Sequence, residues 1–191
     1  MENNEFLPEG YIVPDKSNGY MKFKPGENRF RIVSKPIVGW EWWIEEDGNR
    51  RPMRTRDFGK IPAQFAGEAK HFWAMVVWNY DAKQLQVLEI TQKGIQKFIE
   101  GLTRKPSWGA PYDYDLVVDR SGEGLETEYA VSPEPKAEVP LQARAALKAV
   151  SINLEALFDG QDPFTSNEKV EDLTEDVDPD EIPLEPEGEE K

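Results

Sequence analysis

Apolar and polar positions alternate through the first half of the chain in short runs that read as strands. FRIV (30–33) alternates, with a turn marked by Pro25-Gly26 before it. VGWEWWI (38–44) is rich in β-forming residues, and Asp47-Gly48-Asn49 signals a hairpin turn. RRPMRTRDF (50–58) follows as the return strand, and Pro52 marks it as an edge. Residues 59–71 are irregular, with Gly59, Pro62 and Gly67. HFWAMVVWNY (71–80) is a strong strand, Asp81-Ala82 turns, and QLQVLEI (84–90) runs back. The period then changes. Ile95, Phe98, Ile99 and Leu102 fall on one face of a helix that Thr91 is placed to cap and Pro106 to end. YDYDLVVDR (112–120) and LETEYAV (125–131) predict a final hairpin around residues 121–124. Residues 133–140 are a Pro-rich linker, and 141–158 look helical in part.

Strand, strand, long hairpin, helix, strand, strand is the order of an OB fold, a five-stranded Greek-key barrel with a helix between its third and fourth strands. The expected class is therefore mainly β with one or two helices. Four regions are expected: an N-terminal extension (1–19), the OB domain (20–132), a linker and helical segment (133–165), and a disordered acidic tail (166–191).

Charge sharpens this picture. The 191 residues carry a formal net charge of −14, but it is unevenly placed. Residues 166–191 carry a net −10, 109–165 a net −7 and 1–19 a net −3, whereas residues 20–108 carry +6. The tail has no aromatic residue and few apolar ones, too little to offset its ordering entropy. With no cysteine, disulfides, thiolate zinc and cysteine nucleophiles are excluded, and one histidine excludes a His-rich metal site. No apolar run of membrane-spanning length occurs, and MENNEFLPEG has no apolar signal core. The expected setting is cytoplasmic, the host cytoplasm for a phage-encoded protein.

Single-stranded nucleic acid needs a cationic groove for phosphates and flat side chains for unpaired bases. Both occur on the predicted strands. Arg50, Arg54 and Arg56 share a face by period two, so Arg54→Ala is expected to weaken binding and flatten its salt dependence by about one contact. Trp40 and Trp42 share one face of the preceding strand, and Trp43 points the other way. Phe72, Trp78 and Tyr80 share a face, and Trp73 takes the opposite one. Lys60 and Lys70 lie in the loop between. The candidate DNA-binding set is thus Arg50, Arg54, Arg56, Lys60, Lys70, Trp40, Trp42, Trp73, Trp78 and Tyr80, with Lys93 and Lys97 on the helix as weaker members. No catalytic residue, metal site or cofactor is indicated. The chain lacks a phosphate-cradling GK[ST] loop and a GxSxG elbow.

KPGENRFRIV (24–33), the Trp/Arg hairpin, HFWAMVVWNYDAKQLQVLEITQKGIQKFI (71–99), PSWGAPYDYDLVVDRSGEGLETEY (106–129) and the acidic tail together resemble phage-type single-stranded DNA-binding proteins over residues 20–160. The resemblance implies an OB fold, sequence-independent binding of single-stranded DNA in replication, recombination and repair, and no enzyme activity. One phage branch carries a structural zinc, which this chain lacks the cysteines to hold. In such proteins the acidic tail recruits polymerase, helicase, nuclease or recombinase, or occupies the protein's own groove. Asp178 and Asp180-Glu181-Ile182-Pro183-Leu184 look like the acidic-plus-apolar tip of bacterial single-strand binders, with seven residues after it.

Three other readings compete. An acidic DNA mimic fits the overall charge but not the +6 segment. A metal-dependent nuclease would use Asp113 and Asp115. An OB module for RNA or oligosaccharide would share the stacking chemistry.

Overall fold

Turn chemistry sets where the elements begin and end. The computed structural model describes residues 19–166. In chain order it contains β1 (Tyr20–Met21), β2 (Gly26–Ile32), β3 (Ile37–Glu46), β4 (Asn49–Thr55), β5 (Lys70–Asn79), β6 (Gln84–Ile90), α1 (Lys93–Thr103), β7 (Leu116–Ser121), β8 (Glu128–Pro133), α2 (Leu141–Ala149), β9 (Val150–Ile152) and β10 (Phe164–Ser166). The fold is mainly β, with an eight-stranded mixed sheet in an OB-like arrangement. β2, β5, β6, β7 and β8 follow the OB connection, with α1 between the third and fourth of them. β2 pairs with both β5 and β7, β5 with β6, and β7 with β8, all antiparallel. The β3–β4 hairpin is inserted between β2 and β5 and hydrogen-bonds to the first half of β5. β1 lies parallel to β6.

Among the described residues no ladder joins β8 to β6, so side chains close the barrel there. The Phe23 ring lies 5.9 Å from Tyr129 and 6.2 Å from Phe30, and Arg120 Nη1 donates to Phe23 O at 2.9 Å. The KPGEN segment is held by Asn28. Its buried amide accepts from Lys24 N–H and donates to the carbonyls of Lys24, Gly26 and Val118, so a polar residue fixes the entry to β2.

β5 is apolar on both faces because both are covered. Met75 and Val77 point into the barrel against Phe30, Ile32, Leu88, Ile90, Leu116 and Val118, under Ile95, Ile99 and Leu102 of α1. Phe72, Ala74 and Val76 point outward against Val87, Leu154 and Leu157. Residues 150–164 therefore form a second core layer on the outside of the sheet. The stretch expected as a linker is also tied down: Glu134 N–H donates to Asp115 O and Ala137 N–H to Asp113 O, at 2.9 and 2.8 Å.

Local differences from expectation have physical causes. β4 ends at Thr55, where Asp57 begins a 3₁₀ turn by accepting from Gly59 N–H. β7 starts at Leu116 rather than residue 112, and residues 124–126 form a 3₁₀ turn before β8. Thr91 does not cap α1; Gln92 holds the cap position without a capping side-chain bond, and its Oε1 accepts from Thr91 N–H. No helix among the described residues is long and apolar enough to cross a membrane.

Candidate nucleic-acid interface

The two-residue Asp47-Gly48 turn dictates which side chains share a face. Both residues have positive φ (53° and 73°), the conformation a type I′ hairpin needs. That turn pairs Glu46 with Asn49, so Glu45 faces Arg50, Trp43 faces Pro52 and Glu41 faces Arg54. Trp40 and Trp42 pair with Thr55 and Met53 on the other face. The arginines do share one face of β4, but the indole beside them is Trp43, not Trp40 or Trp42. This corrects the expected grouping, since a period-two argument on each strand alone leaves the register between them undefined.

A groove of about 980 Å³ runs beside the hairpin, over the seam between β8 and the β1–β6 pair. Tyr20, Phe23, Trp43 and Tyr129 supply rings to its walls, and Lys22, Arg51 and Arg120 supply cations. It is bounded by the hairpin on one side and, on the other, by the residues flanking the 121–127 loop. In OB folds the face of the second and third strands between two such loops takes oligonucleotides.

The floor of the groove holds Arg54 between two carboxylates. Its Nη2 lies 2.5 Å from Glu89 Oε1 and its Nε 3.8 Å from Glu41 Oε2, and its Nη1 reaches Leu157 O at 3.5 Å. The side chains of Arg54 and Glu41 are 4% and 8% exposed. Glu41 Oε2, Arg54 Nε and Glu89 Oε1 are buried without a hydrogen-bond partner of good geometry. Burial pushes the Glu41 carboxyl up to about 6; the Glu89 charge adds to this, and Arg54 and Lys70 oppose it. Burial also raises Glu89, against Arg54. The folded-state value of Glu41 lies above its ordinary 4.5, so the folded protein holds the extra proton. The charged form therefore costs stability above pH 6, and that cost disappears as pH falls through 6 to below 4.5. Glu41→Gln is expected to flatten this part of the stability profile, raising stability at pH 8 relative to wild type more than at pH 5. Urea midpoints across that range are the check, and equal shifts at both pH values would refute it.

A second recess of about 440 Å³ lies on the other flank of Trp43, against Arg50, Lys70 and residues 67–69. Trp43 lines both recesses and is 41% exposed, with the Arg50 guanidinium 5.1 Å from its ring centre. The hairpin thus presents an accessible indole and a cation at the same point, with Lys70 beside them.

No family model matches the sequence. The chain is similar to a protein of Escherichia phage T5 described as a probable ssDNA-binding protein, at 25% identity over 189 aligned positions. The alignment covers 81% of this chain and 73% of that protein.

Of the ten expected residues, the structure brings Arg50 and Lys70 together at Trp43. Arg54 lies beneath the groove, buried and neutralised, which is not the position of a phosphate-tracking cation. Arg56 is exposed but occupied: it pairs with Glu155 and lies 4.9 Å from the Phe158 ring centre. Lys60 is exposed in the 3₁₀ turn after β4. Trp42 and Trp78 are 7% and 4% exposed, so neither ring is open to a base. Trp73 packs against the barrel core. Trp40 is half-buried in an edge-on cluster with Phe58 and His71, at 4.7 and 5.2 Å. Tyr80 donates to Asp115 at 3.0 Å and has Arg29 over its ring, and burial with the Asp115 bond pushes its hydroxyl up to about 12. Lys93 and Lys97 lie exposed on α1.

The Asp113 and Asp115 pair is also corrected as a metal site. Asp115 is buried and bound by Arg29 and Arg31, at 2.6 and 2.5 Å, so its charge is more than matched. The two residues precede β7 rather than alternating on it. The expected tail residues Asp178, Asp180, Glu181, Ile182, Pro183 and Leu184, and the extension 1–18, lie outside the described residues. Trp43, Arg51, Lys22, Arg120, Phe23 and Tyr129 were not singled out by sequence. For Trp43 the signal was present: the Asp-Gly turn alone specifies the register that puts it among the arginines.

Proposed function

We propose that this protein binds single-stranded DNA without requiring a fixed sequence, as a non-enzymatic partner in replication, recombination and repair. Bases stack on Trp43 and line the groove beside it. Arg50 and Lys70 on one side of the indole, and Lys22 and Arg120 on the other, meet the phosphates, whereas Arg51 is already paired with Glu46 at 2.6 Å. The observation that carries this reading is the exposed Trp43 ring, flanked by cations, at the junction of the two recesses. The phage T5 relative supports the choice of ligand. The acidic segment 166–191 recruits replication or recombination proteins or competes for the groove.

The test is Trp fluorescence quenching by a mixed-sequence oligonucleotide across salt concentrations. Each phosphate contact on a single strand contributes a slope of about −0.7. Arg50→Ala and Lys70→Ala are each expected to lower affinity and flatten the slope by about that amount. Unchanged slopes in both variants would remove the hairpin from the interface. Deleting residues 167–191 removes a large part of the negative charge and is expected to raise affinity at low salt. Equal affinity with and without the tail would exclude competition for the groove.

A further inference from the structure

The groove floor has the wrong sign for a polyanion. Glu41 and Glu89 bring two carboxylates and Arg54 one guanidinium, in a groove whose lining also carries the cations Lys22, Arg51 and Arg120 and the carboxylate Asp159. The remedy is orientation. Phosphates stay on the rim at Lys22 and Arg120, and the bases point inward. Each carboxylate turns one oxygen toward Arg54. The other two oxygens, Glu41 Oε1 and Glu89 Oε2, make no hydrogen bond to the described residues. A carboxylate is an acceptor only, so what it can recognise is an N–H donor.

We infer that this groove prefers bases bearing amino groups over thymine, with Glu41 and Glu89 as the residues that set the preference. The inference rests on the groove being the single-stranded DNA site. Guanine offers N1–H and its 2-amino group side by side. Cytosine and adenine each offer one amino group, which a carboxylate accepts well. Thymine offers only N3–H between two carbonyl oxygens, and both oxygens repel a carboxylate. The preference is one of composition rather than sequence, because the carboxylates belong to a continuous groove and not to a register along the strand.

The experiment compares oligo-dC and oligo-dT of equal length, by competition against one labelled mixed oligonucleotide at pH 8 with the full chain. The expected result is about tenfold tighter binding of oligo-dC, the lower part of the range for one good base contact. In Glu89→Gln and Glu89→Met the dC/dT ratio is expected to fall toward that of stacking alone. The ratio is taken within each variant, so a partly unfolded preparation does not change it. Tight binding of both oligomers with equal affinity, or a ratio unmoved in both variants, overturns the preference and leaves the DNA-binding reading intact. No binding of either oligomer by the wild type overturns both.

Discussion

Trp43→Ala is expected to weaken single-stranded DNA binding about tenfold or more and to remove most of the fluorescence quenching that DNA causes. Base–aromatic stacking is worth about 1–3 kcal/mol per base, and 1.4 kcal/mol is a factor of ten. The other rings on the predicted strands are less available. Trp42 and Trp78 are sealed, Trp73 packs on the barrel core, and Trp40 is partly covered by Phe58 and His71. The fold should tolerate the change, since the indole is partly exposed and its stack on Arg50 is a surface contact worth about 0.5–1 kcal/mol. Trp43→Phe is expected to restore much of the affinity by keeping a flat face. A titration in which Trp43→Ala binds as wild type would move the interface off the hairpin, whatever the arginine variants do.

Arg54→Met should act on folding, not on the salt slope. Removing one partner of a buried ion pair leaves charges without compensation, at a cost of about 3–5 kcal/mol. Here two carboxylates, Glu41 and Glu89, would be stranded at once. The expected observation is a large drop in the urea midpoint, with most of it recovered when Glu41→Gln and Glu89→Gln are added. What binding remains should show the wild-type salt slope, because a buried guanidinium already neutralised by protein releases no counterion from DNA. A stable Arg54→Met protein with a flattened slope would return Arg54 to the phosphate-contacting role that its strand position alone suggested.

The fold was largely legible, and the site only in part, for a shared reason. Period and punctuation describe one strand at a time. They place Gln84–Ile90 and identify the Asp47-Gly48 turn, and they put Ile95, Ile99 and Leu102 on the buried face of α1, where Gln96 rather than the exposed Phe98 completes that face. Pairing between strands decides which chemistries meet. Treating the turn as a register constraint puts Trp43, Glu41 and Glu45 on the arginine face, information present in the residues but reached only by counting outward from the hairpin. Other facts had no local signal. Glu89 belongs to a strand that reads as plain core, and it reaches Arg54 only once β6 lies beside β5. Glu155 and Phe158 meet Arg56 from about a hundred residues downstream. The outward-facing side of β5 invited a stacking role for Trp78, yet that ring is 4% exposed, and nothing in its own strand marks it as buried.

The gap between β8 and the β1–β6 pair gives the groove an unusual mechanical property. Elsewhere around the barrel, prying two strands apart means breaking backbone hydrogen bonds in series. Along this line no ladder is found among the described residues, and the Phe23 and Tyr129 rings and the Arg120 bridge lie across it. Opening along this line breaks no backbone ladder among the described residues. An opening there would show as faster amide exchange along the outer edge of β8 than in β5, and as slowing of that exchange once the cleft is filled.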